Sequence, residues 1–173
     1  MRILRWIVLS ILALLLGSIG FLVLKTLNFS SIQSNYEACE EIAVSTNVSQ
    51  HLSEALQIKT ISNLDASKID SGQIDQFNGW LAKTFPLADS LLDKKIFNDY
   101  AHLYKWEGSK PELAPALLMG HIDVVPVPEE NLPSWKVVPF EGTIGDGYIW
   151  GRGAIDDKIN VVGLMEAITA LLE

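Results

Sequence analysis

The stretch Ala116-Leu117-Leu118-Met119-Gly120-His121-Ile122-Asp123-Val124-Val125-Pro126 decides how this chain is read. Its first five residues are apolar without a break, the pattern of a short strand buried on both faces of a sheet. His121 then stands at the C-terminal end of that strand, where open α/β sheets place their ligand crevices. In extended geometry His121 and Asp123, two residues apart, project from one face. A neutral imidazole can bind zinc through one nitrogen while a carboxylate holds the other N–H, which fixes the tautomer and raises the ligand's basicity. Taken alone, the same pair also reads as a packed histidine hydrogen-bonded to a neighbouring acid.

Downstream, Thr143-Ile144 and Tyr148-Ile149-Trp150 flank Gly145-Asp146-Gly147, a hairpin signature. The next segment, Trp150-Gly151-Arg152-Gly153-Ala154-Ile155-Asp156-Asp157-Lys158, carries two glycines that let the backbone turn sharply and two acids where a helix begins. Two roles are open to those acids. Asp156 or Asp157 can accept the free N–H groups of the helix start, a cap worth about 1 kcal/mol. A carboxylate can also bridge two metal ions, which in two-metal hydrolases lie about 3.5–4 Å apart. Arg152 reads as a structural salt-bridge partner. Ile159, Val162, Met165 (or Leu164), Ile168 and Leu172 then form the apolar face of a last helix.

Upstream, Val48, Leu52, Ala55 and Leu56 recur at helical spacing after Asn47, an N-cap with Gln50 three residues on. Ile74, Phe77, Leu81 and Phe85 mark a second helix, stopped by Pro86. Tyr100, His102, Tyr104 and Trp106 alternate with Ala101, Leu103 and Lys105, the period of a strand, and Glu107-Gly108-Ser109-Lys110-Pro111 is its turn. Helix and strand alternate, so the expected class is an α/β sandwich.

The first 25 residues are unlike the rest. Trp6 to Leu24 is 19 residues without a charge, flanked by Arg2 and Arg5 before and Lys25 after, and that length spans a bilayer core. An uncleaved signal anchor is the expectation; the alternative, a cleavable signal peptide, finds only a poor small-residue site around Gly17, Ser18 and Gly20. The basic flanks place the short N-terminus in the cytoplasm and the bulk of the chain in a lumen, a vacuole or outside the cell. On that side Asn28-Phe29-Ser30 and Asn47-Val48-Ser49 are glycosylation sequons. Residues 26–47, with Ser30, Ser31, Gln33, Ser34 and Asn35, read as a stalk.

Of the 13 Lys and Arg residues, Arg2, Arg5 and Lys25 belong to the leading segment, which leaves 10 against 21 acidic residues from Thr26 onward, a formal balance of −11. That field excludes nucleic acid as a partner. The single cysteine, Cys39, excludes an internal disulfide framework and a thiolate zinc site within this chain. It reads as a small apolar residue, with an intermolecular disulfide as the alternative in an oxidising lumen.

Gly120-His121-Ile122-Asp123-Val124-Val125-Pro126, then Trp135 with Pro139-Phe140, then Gly151-Arg152-Gly153 leading to Asp156-Asp157-Lys158 together resemble zinc exopeptidase family M twenty. The branch resembled most is that of carboxypeptidase S and the N-acyl-amino-acid amidohydrolases. Weaker similarity reaches back through Ile58-Lys59-Thr60-Ile61-Ser62. The resemblance implies a three-layer α/β sandwich with a mixed, largely parallel sheet, its N-terminal part occupying residues 48–173. It implies two zinc ions, with His121 a terminal ligand, Asp156 the bridging ligand and Asp123 the catalytic carboxylate that orients His121. It also implies a cis peptide at Asp156-Asp157. The expected reaction is hydrolysis of an amide bond beside a free carboxylate, in a small peptide or an N-acyl amino acid.

Relatives of this kind also need a glutamate pair, a further acid and a distant histidine after the Asp156 helix. The sequence reaches Glu173 within that helix, while His51 and His102 lie upstream and read as surface or packing residues. The expectation is therefore a fragment with half the metal site, inactive alone, because each zinc needs about three protein ligands. A membrane-tethered, non-catalytic relic or interaction protein is the alternative.

Overall fold

A computed structural model describes residues 1–31 and 45–173. Cys39 and most of the expected stalk lie outside the described residues. The chain divides into two compact units, Met1–Glu41 and Ile42–Glu173.

In the first unit a single helix, α1 (Arg2–Leu27), runs for 26 residues with no buried side chain. It is long and apolar enough to cross a membrane, and a signal sequence meets the same description. The helix extends past the charge-free stretch at both ends because Arg2, Arg5 and Lys25 are good helix formers.

The second unit is built on four helices, α2 (Val48–Gln57), α3 (Ser71–Thr84), α4 (Pro86–Leu91) and α5 (Ile159–Leu172). Their apolar faces supply Leu52, Ala55, Leu56, Phe77, Leu81, Phe85, Ala88, Val162 and Met165 to one core. Asp70 caps α3 by accepting from Gln73 N–H at 3.3 Å. Pro86 does end α3, as expected, but it also opens α4 from the first helical position, where its missing N–H costs nothing. Asn47 occupies the N-cap of α2, yet its side chain makes no capping bond, contrary to the expected cap.

Two antiparallel hairpins complete the unit. β1 (Asp93–Phe97) pairs with β2 (Ala101–Lys105), with Lys95 opposite Leu103. β3 (Thr143–Gly145) pairs with β4 (Tyr148–Trp150) around Asp146 and Gly147, whose φ values of 55° and 78° suit a tight two-residue hairpin turn.

The content is mixed helix and strand, as an α/β class requires. The stretch Ala116–Gly120 departs from expectation: it joins no strand, and Leu117, Leu118 and Met119 are 69, 69 and 77 % exposed. A buried strand needs paired neighbours and a covering layer on each face. Among the described residues no strand pairs with 116–120, and cover is partial, with Val161 of α5 set against Gly120. Parallel pairing among the described residues is confined to one bridge, Ile61 to Val124, reinforced by Ser62 N–H to Val124 O and Val124 N–H to Thr60 O, both 2.9 Å.

Candidate active site

The two motifs meet through a close backbone approach. Gly153 has φ 85°, and a Cβ there would lie 2.5 Å from Val124 Cγ1. Only glycine fits that contact, and it sets the Gly151-Arg152-Gly153 turn against the segment bearing His121. From the other side, Thr60 Oγ donates to Ile122 O at 2.5 Å and holds the same segment. The weak Ile58–Ser62 similarity is thus the edge on which the first motif rests.

His121, Asp123 and Asp156 come together there. His121 Nε2 lies 3.0 Å from Asp156 Oδ1, across 35 positions of sequence. Its Nδ1 lies 3.0 Å from the Asp123 backbone oxygen and 3.2 Å from Asp123 Oδ1. Both ring nitrogens therefore face oxygen acceptors. That arrangement is satisfied either by an imidazolium or by a neutral ring with a cation between Nε2 and the Asp156 carboxylate. Burial works against the charged ring, but the bonds to Asp123 O and Asp156, with the fields of Asp123 and Asp157, outweigh it and raise the His121 pKa above the usual histidine value.

Asp157 has a part that the sequence did not reveal. Its Oδ2 accepts the His121 N–H at 3.1 Å, and its Oδ1 accepts from Asn160 in the first turn of α5. Gly120 leaves room for it: a Cβ there would stand 3.3 Å from that Oδ2 and 2.9 Å from Val161 Cγ2. Neither Asp156 nor Asp157 caps α5, whose N-cap is Lys158 with no side-chain capping bond. The peptide between the two acids is cis.

Lys158 is the other residue missed. It is fully buried, donating from Nζ to Ala55 O at 2.8 Å and Ile58 O at 2.7 Å, 5.1 Å from the Phe77 ring centre. Burial lowers its pKa to about 7. The side chain ties the end of α2 to the start of α5, directly after the site acids. Arg152 makes no ion pair among the described residues. It lies over Trp135 instead, 5.0 Å from the ring centre, and its buried Nε has no hydrogen-bond partner, which corrects the expected salt bridge. Stacking suits a delocalised, weakly hydrated cation. His51 stays outside the site, bonded to Glu166 at 2.5 Å and set edge-on to Phe85, while His102 lines the groove that opens beside His121.

An apolar groove of about 570 Å³ opens beside His121 and Asp123, walled by Leu81, Leu92, Tyr104, Leu118 and Met165 among others.

Residues 117–173 match the family model described as peptidase family M20/M25/M40. The chain belongs to that peptidase family. It is 37 % identical over 145 residues to the human N-fatty-acyl-amino acid synthase/hydrolase PM20D1, covering 83 % of this chain and 27 % of that protein. It is 36 % identical over 168 residues to the probable carboxypeptidase S-like 2 of Dictyostelium discoideum, covering 92 % and 32 %. Carboxypeptidase S of Saccharomyces cerevisiae is 43 % identical over 99 residues, covering 56 % and 17 %. The chain thus spans less than a third of the length of each of these relatives. No solved structure matches it significantly.

Enzymes of this family are generally zinc-dependent. An imidazole nitrogen and a carboxylate oxygen facing one another are donors of the kind zinc takes. Their number falls short: among the described residues no group of three or more His, Cys, Asp or Glu side chains converges to hold an ion.

Proposed function

We propose that the chain is the front part of a zinc-dependent amidohydrolase or exopeptidase of the carboxypeptidase S kind. Its substrate would be a small peptide or an N-acyl amino acid, cut at the amide bond beside a free carboxylate. The observation that carries this reading is the 3.0 Å approach of His121 Nε2 to Asp156 Oδ1 at the junction of the two family motifs. The names of the human and yeast relatives support the substrate class.

In this reading His121 would hold zinc as a terminal ligand and Asp156 would be the carboxylate shared between the two ions. Asp123 fixes the imidazole by holding Nδ1–H, which leaves Nε2 free to coordinate. Asp157 anchors the His121 backbone to α5. Zinc, when bound, supplies Lewis-acid polarisation of the scissile carbonyl. The remaining ligands and the general base come from sequence outside these 173 residues, as does the covering of Leu117, Leu118 and Met119 that would complete a three-layer sandwich with a largely parallel sheet. Residues 48–173 are the catalytic part, 26–47 a stalk and 1–25 a cytoplasmic tip and signal anchor, with the bulk of the chain luminal, vacuolar or extracellular.

The 88 % exposure of the Asp156 side chain is the physical reason to expect little from the chain alone, because the described residues leave that carboxylate open to water. Purified chain supplied with zinc and a panel of N-acyl amino acids and dipeptides should show no hydrolysis above the metal blank. Turnover abolished by His121→Ala would overturn the fragment reading. The rival, a membrane-tethered relic without chemistry, is distinguished by the sequence encoded beyond Glu173: a glutamate pair and a late histidine there support the enzyme, and their absence supports the relic.

A further inference from the structure

The two sequons differ in what their asparagines are free to do. Asn28 is the C-cap of α1, and its Nδ2 is engaged, donating to Leu24 O at 2.8 Å. A 26-residue helix is about 39 Å long at 1.5 Å per residue, against roughly 30 Å for a bilayer core and 40–45 Å with headgroups. If α1 spans the bilayer, Asn28 is held at headgroup level. Asn47 stands twenty positions after Leu27, and a chain of that length can extend by up to about 66 Å. It is exposed, as is Ser49, the hydroxyl residue of its sequon. Its carbonyl accepts from His51 N–H at 2.9 Å, but its side chain makes no cap bond to α2. Asparagine at a helix start ordinarily spends its side chain on that bond. Here that bond, which would engage Oδ1, is not made, and among the described residues no hydrogen bond engages Nδ2 either, so the whole exposed amide is left to solvent.

We infer that Asn47 is an N-glycosylation site and that Asn28 is not. The inference rests on the luminal placement proposed above. In the transfer, Asn47 Nδ2 bonds to the anomeric carbon of a lipid-pyrophosphate-linked oligosaccharide. The bond from that carbon to the pyrophosphate oxygen breaks, the lipid pyrophosphate leaves with the electron pair, and the amide nitrogen gives up one proton. A bulky hydrophilic glycan on the exposed Asn47, at the entrance to α2, would stay in solvent.

The test is translation of the full 173-residue chain in the presence of secretory microsomes, followed by endoglycosidase treatment and, in parallel, by external protease. The expected result is one endoglycosidase-sensitive step in mass on a protease-protected chain, lost in both Asn47→Gln and Ser49→Ala and kept in Asn28→Gln. A protected chain with no glycan, or with one that survives Asn47→Gln, overturns the assignment while leaving luminal placement intact. Digestion of the C-terminal part by external protease overturns the placement and the assignment together.

Discussion

Gly153 packs so tightly against Val124 that a Cβ would come within 2.5 Å of the valine Cγ1, in a backbone conformation, φ 85°, that side chains rarely adopt. This contact holds the first family motif against the second. Gly153→Ala should therefore destabilise the folded unit by about 2–4 kcal/mol, part from the left-handed conformation and part from the clash. Val124→Ala in the same chain should recover some of the loss, because it removes the clash and leaves the backbone cost. Denaturant titration of the full chain in detergent measures both. Equal stability of Gly153→Ala and the parent would show that the motifs are not locked this way.

Lys158 gives the fold a pH dependence of known sign. Folded, its pKa is lowered to about 7; unfolded, it returns to the ordinary 10.5. Between those values the unfolded chain binds the extra proton, so stability should rise with pH from about 7 to 10.5, by a few kcal/mol at most. Below pH 7 both states carry the charge and the burial penalty is felt in full. Lys158→Met should flatten this slope. Its effect on absolute stability is mixed, since it removes the penalty but also the bonds to Ala55 O and Ile58 O, of which Ile58 O keeps the Thr60 N–H at 3.0 Å.

The His51–Glu166 bond, 2.5 Å long and mostly shielded, joins α2 to α5. His51→Ala and Glu166→Ala should each cost about 1–3 kcal/mol, and the double variant should cost less than their sum. Additive losses in the cycle would show that the two residues act independently.

Asp157 should govern the order of the site through the backbone N–H of His121. In Asp157→Ala the His121 N–H loses its acceptor, and its amide exchange should quicken while exchange in α3 stays unchanged. Asp157→Asn keeps an acceptor oxygen at the same position and should restore most of the protection. Rescue failing in Asp157→Asn, with α3 unaffected, would assign the effect to charge rather than to this bond.

Much of the fold could be read from periodicity. α2, α3, α5, β2 and the β3–β4 hairpin follow from apolar spacing and from Asp146-Gly147, since burial of one face is a local property of sequence. β1 was not visible because Asp93, Lys94 and Lys95 lack strand alternation and pair only through β2. The Ala116–Gly120 run has the composition of a doubly buried strand, but burial depends on neighbours, and among the described residues no strand pairs with it and Leu117, Leu118 and Met119 stay exposed. At the site, His121, Asp123 and Asp156 could be singled out from motif chemistry. Lys158 and Asp157 could not: an internal lysine and an acid bonded to a distant backbone N–H are set by tertiary contacts. Arg152 was read as an ion pair because charge suggests one, and a ring face took that place.

The central claim is that His121 and Asp156 are zinc ligands of one hydrolase site. It is tested most directly by grafting residues 117–173 of this chain onto the matching segment of yeast carboxypeptidase S and measuring the zinc bound per folded chimera. Circular dichroism confirms folding of each variant. The expected result is two zinc ions in the chimera, with clear loss of metal in both His121→Ala and Asp156→Ala. Folded His121→Ala and Asp156→Ala chimeras that keep the full zinc content would contradict it.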